Sequence, residues 1–230
     1  MLLAPAGDAV VAEAGLPPFP PRNAAVVVFD VVGTLVEPWP SVPEAYALAA
    51  AAHGLVARPE DLSRRFAAAW RRQEGIDAVA SPPFATSRAR EVDRWRGIVH
   101  DVFEATAPAD VREAVFRDLW DHFARPASWR PLERGTRLLH SALEAGCGVA
   151  LASNFDERLI ALAARLEPLS LAGEVFASSE LGWRKPAPGF FRAVEARLQR
   201  RPHELLLVGD DPRLDVEAAS AAGWRALAVA

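Results

Sequence analysis

Hydrophobic residues follow two different patterns along this chain. Five short apolar runs read as strands buried on both faces of a parallel sheet: Ala25-Val26-Val27-Val28-Phe29, Gly148-Val149-Ala150-Leu151-Ala152, Glu174-Val175-Phe176-Ala177, Leu205-Leu206-Leu207-Val208 and Ala226-Leu227-Ala228-Val229. Between them, residues 133–145, 156–166, 188–199 and 214–222 carry helical periodicity, the first and last closed by Gly146 and Gly223 as helix C-terminal glycines. Strands alternating with helices predict an α/β fold, a Rossmann-like doubly wound parallel sheet.

One stretch breaks the alternation. Between Leu35 and about Arg130 no run reads as a strand, whereas residues 42–53, 59–75, 86–105 and 109–123 show helical periodicity, with breaks at Gly54, Ser81-Pro82-Pro83 and Pro108. The expected organisation is a flexible lead-in over 1–22, a core of 23–36 and 131–230, and an inserted four-helix cap over 37–130. An insert directly after the first strand lies at the carboxyl edge of the sheet, where ligands of such folds bind. It can act as a lid and carry specificity.

Polar residues with chemical potential gather where apolar runs end. Asp30 follows the first strand, and Gly33 in Val31-Val32-Gly33-Thr34-Leu35 permits a tight backbone turn around whatever Asp30 faces. Taken alone, Asp30 is either a nucleophile or a turn cap. Ser153-Asn154 ends the second strand and offers either anion-binding donors or a helix N-cap. Asp210 and Asp211 end the fourth, with Asp215 one helical turn on. Three carboxylates that close, near a fourth, repel one another unless a cation neutralises them, and oxygen-only ligation points to Mg2+. The competing expectation is that Asp211 and Asp215 cap and solvate the helix starting near Leu214, and for Asp215 alone that is the preferred one.

Composition sharpens one position. Of 26 Lys and Arg residues one is lysine, Lys185, set in Gly182-Trp183-Arg184-Lys185-Pro186 between an apolar strand and a helix. Either a GC-rich, Arg-favouring composition left it by chance, or the position requires a compact ammonium where a planar fork does not fit. A net charge of −4 with interspersed Arg, Asp and Glu gives no basic stripe for nucleic acid. No membrane span is present, and Asp8 and Glu13 interrupt the stretch a signal peptide needs, so a cytoplasmic protein is expected. The single cysteine, Cys147, suits a reducing compartment and reads as a buried, inert thiol. The five histidines are assigned to surface or packing roles, and the insert's tryptophans and arginines to bundle packing and solvation. Trp39 and Tyr46, where the chain enters the insert, are the expected substrate contacts.

The ordered set Asp30-x-x-Gly33-Thr34-Leu35, four-helix gap, Ser153-Asn154, Lys185-Pro186 and Gly209-Asp210-x4-Asp215 resembles the four motifs of the haloacid dehalogenase superfamily, with a cap of the first type, over roughly residues 25–230. Ser153-Asn154-Phe155-Asp156 and the Leu181-to-Pro186 segment look most like the group named haloacid dehalogenase-like hydrolase domain-containing protein 3. The resemblance implies a phosphohydrolase of a small phosphorylated compound. Asp30 would form an aspartyl phosphate, and Mg2+ would be bound by Asp30, the main-chain carbonyl of Val32 and Asp210, with Asp211 and Asp215 in support. Thr34, Ser153, Asn154 and Lys185 would complete the catalytic set.

The pattern departs from the superfamily's phosphatases at one position. They usually carry a second Asp two residues after the nucleophile, as general acid and base, and Val32 stands there. General acid–base catalysis is worth about 10² to 10⁴ in rate, so turnover of alkyl esters is expected to suffer while metal binding through a main-chain oxygen survives. A cap without lysine argues against Schiff-base phosphonatase chemistry. The rivals are a metal-independent 2-haloacid dehalogenase and a non-catalytic phosphate- or protein-binding member.

Overall fold

The computed structural model describes residues 19–21 and 24–229. The lead-in expected over 1–22 therefore lies almost wholly outside the described residues, although Phe19 packs against the core. Strand β1 (Val26–Phe29) runs into a tight loop, in which Leu35 and Val36 both donate to the carbonyl of Val31, and then into β2 (Val36–Pro38). The cap follows as α1 (Val42–Ala52), α2 (Pro59–Ala78), α3 (Arg88–Phe103) and α4 (Ala109–His122). The chain returns through β3 (Trp129–Pro131), which pairs antiparallel with β2. This two-stranded stem at the cap's base is a correction to the expectation of no strand there. Three-residue strands that contain proline carry too little periodicity to be read from sequence.

The rest of the chain winds the core: α5 (Glu133–Glu144), β4 (Gly148–Ser153), α6 (Arg158–Ala163), β5 (Glu174–Ala177), α7 (Ser178–Leu181), α8 (Pro188–Leu198), β6 (Leu205–Gly209), α9 (Ala218–Ala221) and β7 (Arg225–Ala228). The five core strands form one parallel sheet in the order β5-β4-β1-β6-β7. Alternation along β1 divides the core. Val27 and Phe29 face Leu139 of α5 and Leu159 of α6, while Val26 and Val28 face Phe190 and Val194 of α8 and Ala219 of α9. Both faces are covered, which is why the strands read as unbroken apolar runs. Burying each such large side chain stabilises the fold by about 1.5–3 kcal/mol relative to exposure.

The helix expected over 214–222 is instead a wide π-type turn, Pro212–Glu217, running into the short α9. Cys147 is half-buried, its thiol donating to the carbonyl of Ala24 at 3.3 Å, and burial pushes the thiol's pKa up. Among the described residues no helix is long and apolar enough to cross a membrane.

Candidate active site

The sheet order explains where the polar residues converge. Strand β1 lies between β4 and β6, so the chain leaves it toward one side in β4 and toward the other in β6, and the carboxyl ends of these strands frame a crevice. Asp30 follows β1, Ser153 ends β4 and Asp210 follows β6. Lys185 reaches the same place from the loop after α7.

At the centre lies Lys185, almost wholly buried, whose Nζ donates to Asp30 Oδ1 at 2.7 Å and to Asp215 Oδ1 at 2.5 Å. Burial alone would lower the ammonium's pKa, but Asp30 and Asp215 together outweigh it and hold the value above the ordinary one. Asp30 behaves oppositely. Burial raises its carboxyl, Lys185 pulls it back, and Asp215 and Asp210 push it up again, leaving it at about 6. Asp210, more exposed, is raised chiefly by partial burial, against the Thr34 hydroxyl that donates to its Oδ1 at 3.0 Å. Oxygen atoms of Asp30, Asp210 and Asp215 all lie within 4.8 Å of one another.

Backbone shape makes this crowding possible. Gly33 has φ +86°, and a Cβ there would stand 2.4 Å from Asp210 Oδ2. A Cβ on Gly209 would stand 2.3 Å from the Asp215 carboxylate, so the end of β6 must also be bare. Asn154 secures the lysine from behind: its Nδ2 donates to the Lys185 carbonyl at 3.0 Å and its Oδ1 accepts from the Lys185 N–H at 2.7 Å. It touches the main chain of Lys185, a positioning role. Ser153 is buried at the end of β4, and Thr34 is fully buried beneath Asp210.

Two neighbouring acids, both expected in support of the metal by resemblance, take different places. Asp211, expected beside the metal, spends its Oδ1 on the N–H groups of Arg213 and Leu214 at 2.8 Å each and caps the turn that follows. Asp215, for which capping was preferred, is buried, pairs with Lys185, and accepts from the Asp211 N–H at 3.1 Å. The wide turn between them decides this, because it rotates Asp215 inward.

A cavity of about 470 Å3 lies between cap and core. Val32 and Asn154 line its core end, with Phe155; Trp70, Trp95 and Trp120 line the cap side. Tyr46 also lines it, but Trp39 does not: it is 52% exposed, with the Arg130 guanidinium 4.2 Å over its ring. The cap tryptophans thus do more than pack the bundle. Arg94 departs from the solvated arginines expected, being fully buried.

Arg94 belongs to a network that the sequence did not reveal. Arg184, beside the catalytic candidate Lys185, pairs with Glu91 at 3.0 Å and Glu74 at 3.2 Å on the cap, and Arg94 pairs with Glu74 at 2.5 Å and with Asp77. Main-chain bonds run alongside, from Arg184 N to Phe84 O and from Thr86 N to Gly182 O. Glu74 and Glu91 lay inside expected helices and Asp77 just beyond the one expected over 59–75, but a partner about a hundred residues away leaves no local signal.

A family model of haloacid dehalogenase-like hydrolases matches residues 24–223. Human haloacid dehalogenase-like hydrolase domain-containing protein 3 is 28% identical over 89% of this chain and 81% of its own length. Among solved structures, a defluorinating L-2-haloacid dehalogenase superposes with a TM-score of 0.68 at 21% identity, covering 89% of this chain and 80% of that one. A predicted phosphoglycolate phosphatase from Haemophilus somnus superposes with 0.65 at 17%, covering 90% and 85%. At those identities the two structures speak for the fold alone.

Proposed function

We propose, on the premise that the chain belongs to the haloacid dehalogenase-like hydrolase family, that it is a Mg2+-dependent phosphatase of a small phosphorylated compound. A charge imbalance carries this proposal: three carboxylates within 4.8 Å of one another face a single ammonium, Lys185. Such a set favours a further cation, and donors that are all oxygen fit Mg2+ better than metals that seek thiolate or imidazole. Asp30, Asp210 and the main-chain carbonyl of Val32 would hold it. When bound, the ion supplies charge neutralisation at the phosphoryl oxygens.

The protein's own groups account for the remaining work. The Asp30 carboxylate attacks phosphorus, the bond to the leaving oxygen breaks, and water then attacks the aspartyl phosphate to free Asp30. Lys185, held by Asn154, stands against the nucleophile and can donate to a phosphoryl oxygen beside it. Thr34 spends its one hydroxyl proton on Asp210 and holds it in place, while the Ser153 hydroxyl at the end of β4 would donate to a phosphoryl oxygen at the same edge. Val32 supplies no proton to the leaving group.

A second reading, attack of Asp30 on the carbon of a 2-haloacid, draws support from Val32 and the apolar cavity. One experiment divides the two: a panel of phosphorylated compounds and 2-haloacids is assayed with Mg2+ and again after chelation. Phosphate release abolished by chelator is the expected result. Chelator-insensitive halide release without phosphate release overturns the phosphatase.

A further inference from the structure

We propose that the leaving group is an aromatic alcohol, so that the chain hydrolyses aryl phosphomonoesters; this deepens the phosphatase reading and rests on it. Two independent observations meet at Val32. The first is the cavity. Its volume of about 470 Å3 lies in the range of small-molecule sites, and Val32 and Asn154 line its core end, the residue two after Asp30 and the residue clamping Lys185, although Asp30 and Lys185 themselves are not among its walls. A phosphoryl group held against Asp30 therefore directs its ester substituent toward the aromatic walls formed by Trp70, Trp95, Trp120 and Phe155.

Those walls offer little to a hydroxylated substituent. Among the described residues lining the cavity there is no Asp, Glu, Ser or Thr, and one hydroxyl, that of Tyr46. Two of the polar side chains present are already committed, and the indole N–H groups of Trp70, Trp95 and Trp120 are donors only. Asn154 is bonded both ways to the backbone of Lys185, and Arg158 donates to both oxygens of Asp156 at 2.7 Å and to the carbonyl of Trp120. Its guanidinium lies 3.5 Å over the Trp120 ring, so it presents a stacked face. Arg71 stands at the exposed edge. A sugar or glycerol leaving group would bury hydroxyls without partners, each worth about tenfold in affinity. An aromatic ring meets edges and faces of other rings at no such cost.

The second observation is chemical. With valine at 32, no side chain there delivers a proton to the departing oxygen. An alkoxide leaves poorly without one, whereas a phenolate carries its electron pair away unaided. In the first step the P–O(aryl) bond breaks as the P–O bond to Asp30 forms, and the phenolate takes its proton from solvent. In the second, water's oxygen bonds to phosphorus and Asp30 leaves as carboxylate; one of the water's protons passes to solvent, replacing the one the phenolate took, and the other stays with the phosphate. The net change is aryl phosphate plus water to phenol plus inorganic phosphate.

The test measures kcat/KM of the full chain in Mg2+ for 2-naphthyl phosphate, phenyl phosphate, glycerol 3-phosphate and acetyl phosphate, the last being small with a good leaving group. The second ring should raise kcat/KM by about tenfold or more over phenyl phosphate, with glycerol 3-phosphate slowest. Filling the cavity with Ala67→Phe should reduce the naphthyl-to-acetyl ratio by about tenfold. Calorimetric binding to Asp30→Asn should keep the order naphthyl, phenyl, glycerol without turnover. Hydrolysis of acetyl phosphate with no preference for naphthyl over phenyl overturns the aromatic leaving group and leaves the phosphatase standing. No Mg2+-dependent hydrolysis of any of the four overturns the phosphatase, and this inference with it.

Discussion

Two buried ionic clusters sit back to back where cap meets core, joined by one peptide bond, since Arg184 belongs to one and Lys185 to the other. In the first, Arg90, Arg94 and Arg184 meet Glu74, Asp77 and Glu91 one for one, and the exposed Arg213 reaches Glu74 at 3.9 Å. In the second, one ammonium faces three carboxylates. Burial separates them only at Asp210, which is exposed, while Asp30, Asp215 and Lys185 are buried like Asp77, Glu91 and Arg184. Charge balance tells them apart, because a matched set needs no ligand, while an unmatched set demands a cation or a proton. That demand is visible in Asp30, held at about 6, and in the raised Asp210. Side-chain type follows the same division. Guanidinium forks suit fixed pairs such as Arg184 with Glu91, whereas a compact ammonium suits oxygens converging from Asp30 and Asp215. The matched cluster is not perfect, for the Nε atoms of Arg94 and Arg184 have no hydrogen-bond acceptor.

Substitutions in the two clusters should therefore have different signatures. Asp30→Asn is expected to reduce turnover by about a thousandfold or more, because the nucleophile is gone. Its thermal unfolding should stay cooperative, since an isosteric amide occupies the same strand end. Wild-type turnover by this variant would end the mechanism. Arg184→Met should show the reverse, destabilising the protein by about 3–5 kcal/mol in urea denaturation, since Glu91 loses its buried cation. Unchanged stability would mean that the network does not brace the cap.

Lys185→Arg keeps the charge but not the shape, and kcat is expected to fall about a hundredfold, comparable with loss of one donor to a developing oxyanion. A silent exchange would make the lone lysine an accident of composition. The smallest effect is a linkage. The Asp30 carboxyl rises from 3.8 to about 6 on folding, so the native state binds its proton more tightly than the unfolded chain does. Its contribution to stability is most favourable below the unfolded value and is lost as pH rises through about 6. A cation at the cluster offsets that loss, so Mg2+ should raise the melting temperature by a few degrees more at about pH 7.5 than at about pH 5. A Mg2+ effect independent of pH would place the ion elsewhere.

Apolar pattern alone determined the five core strands and the helices α5, α6 and α8 between them, because burial on both faces of a sheet, or on one face of a helix, imposes a local period. The motif residues Asp30, Thr34, Asn154 and Asp210 were legible for a related reason, since they follow strands and strands of a parallel sheet end on the same edge, whereas Lys185, in the loop after α7, was legible as the one lysine of the chain. Local pattern could not say which way a side chain turns after leaving its element. Asp211 and Asp215 are four residues apart, and only the π-type turn between them sends one to solvent-side backbone and the other to Lys185. Tyr46 and Trp39 looked alike as entrance aromatics, yet only Tyr46 enters the cavity, since the β2–β3 stem leaves Trp39 exposed. The Arg184 network and the aromatic cavity join residues from cap and core. Their partners are set by how the two pack, and pairing across that distance is a property of the folded surface, without any trace in neighbouring sequence.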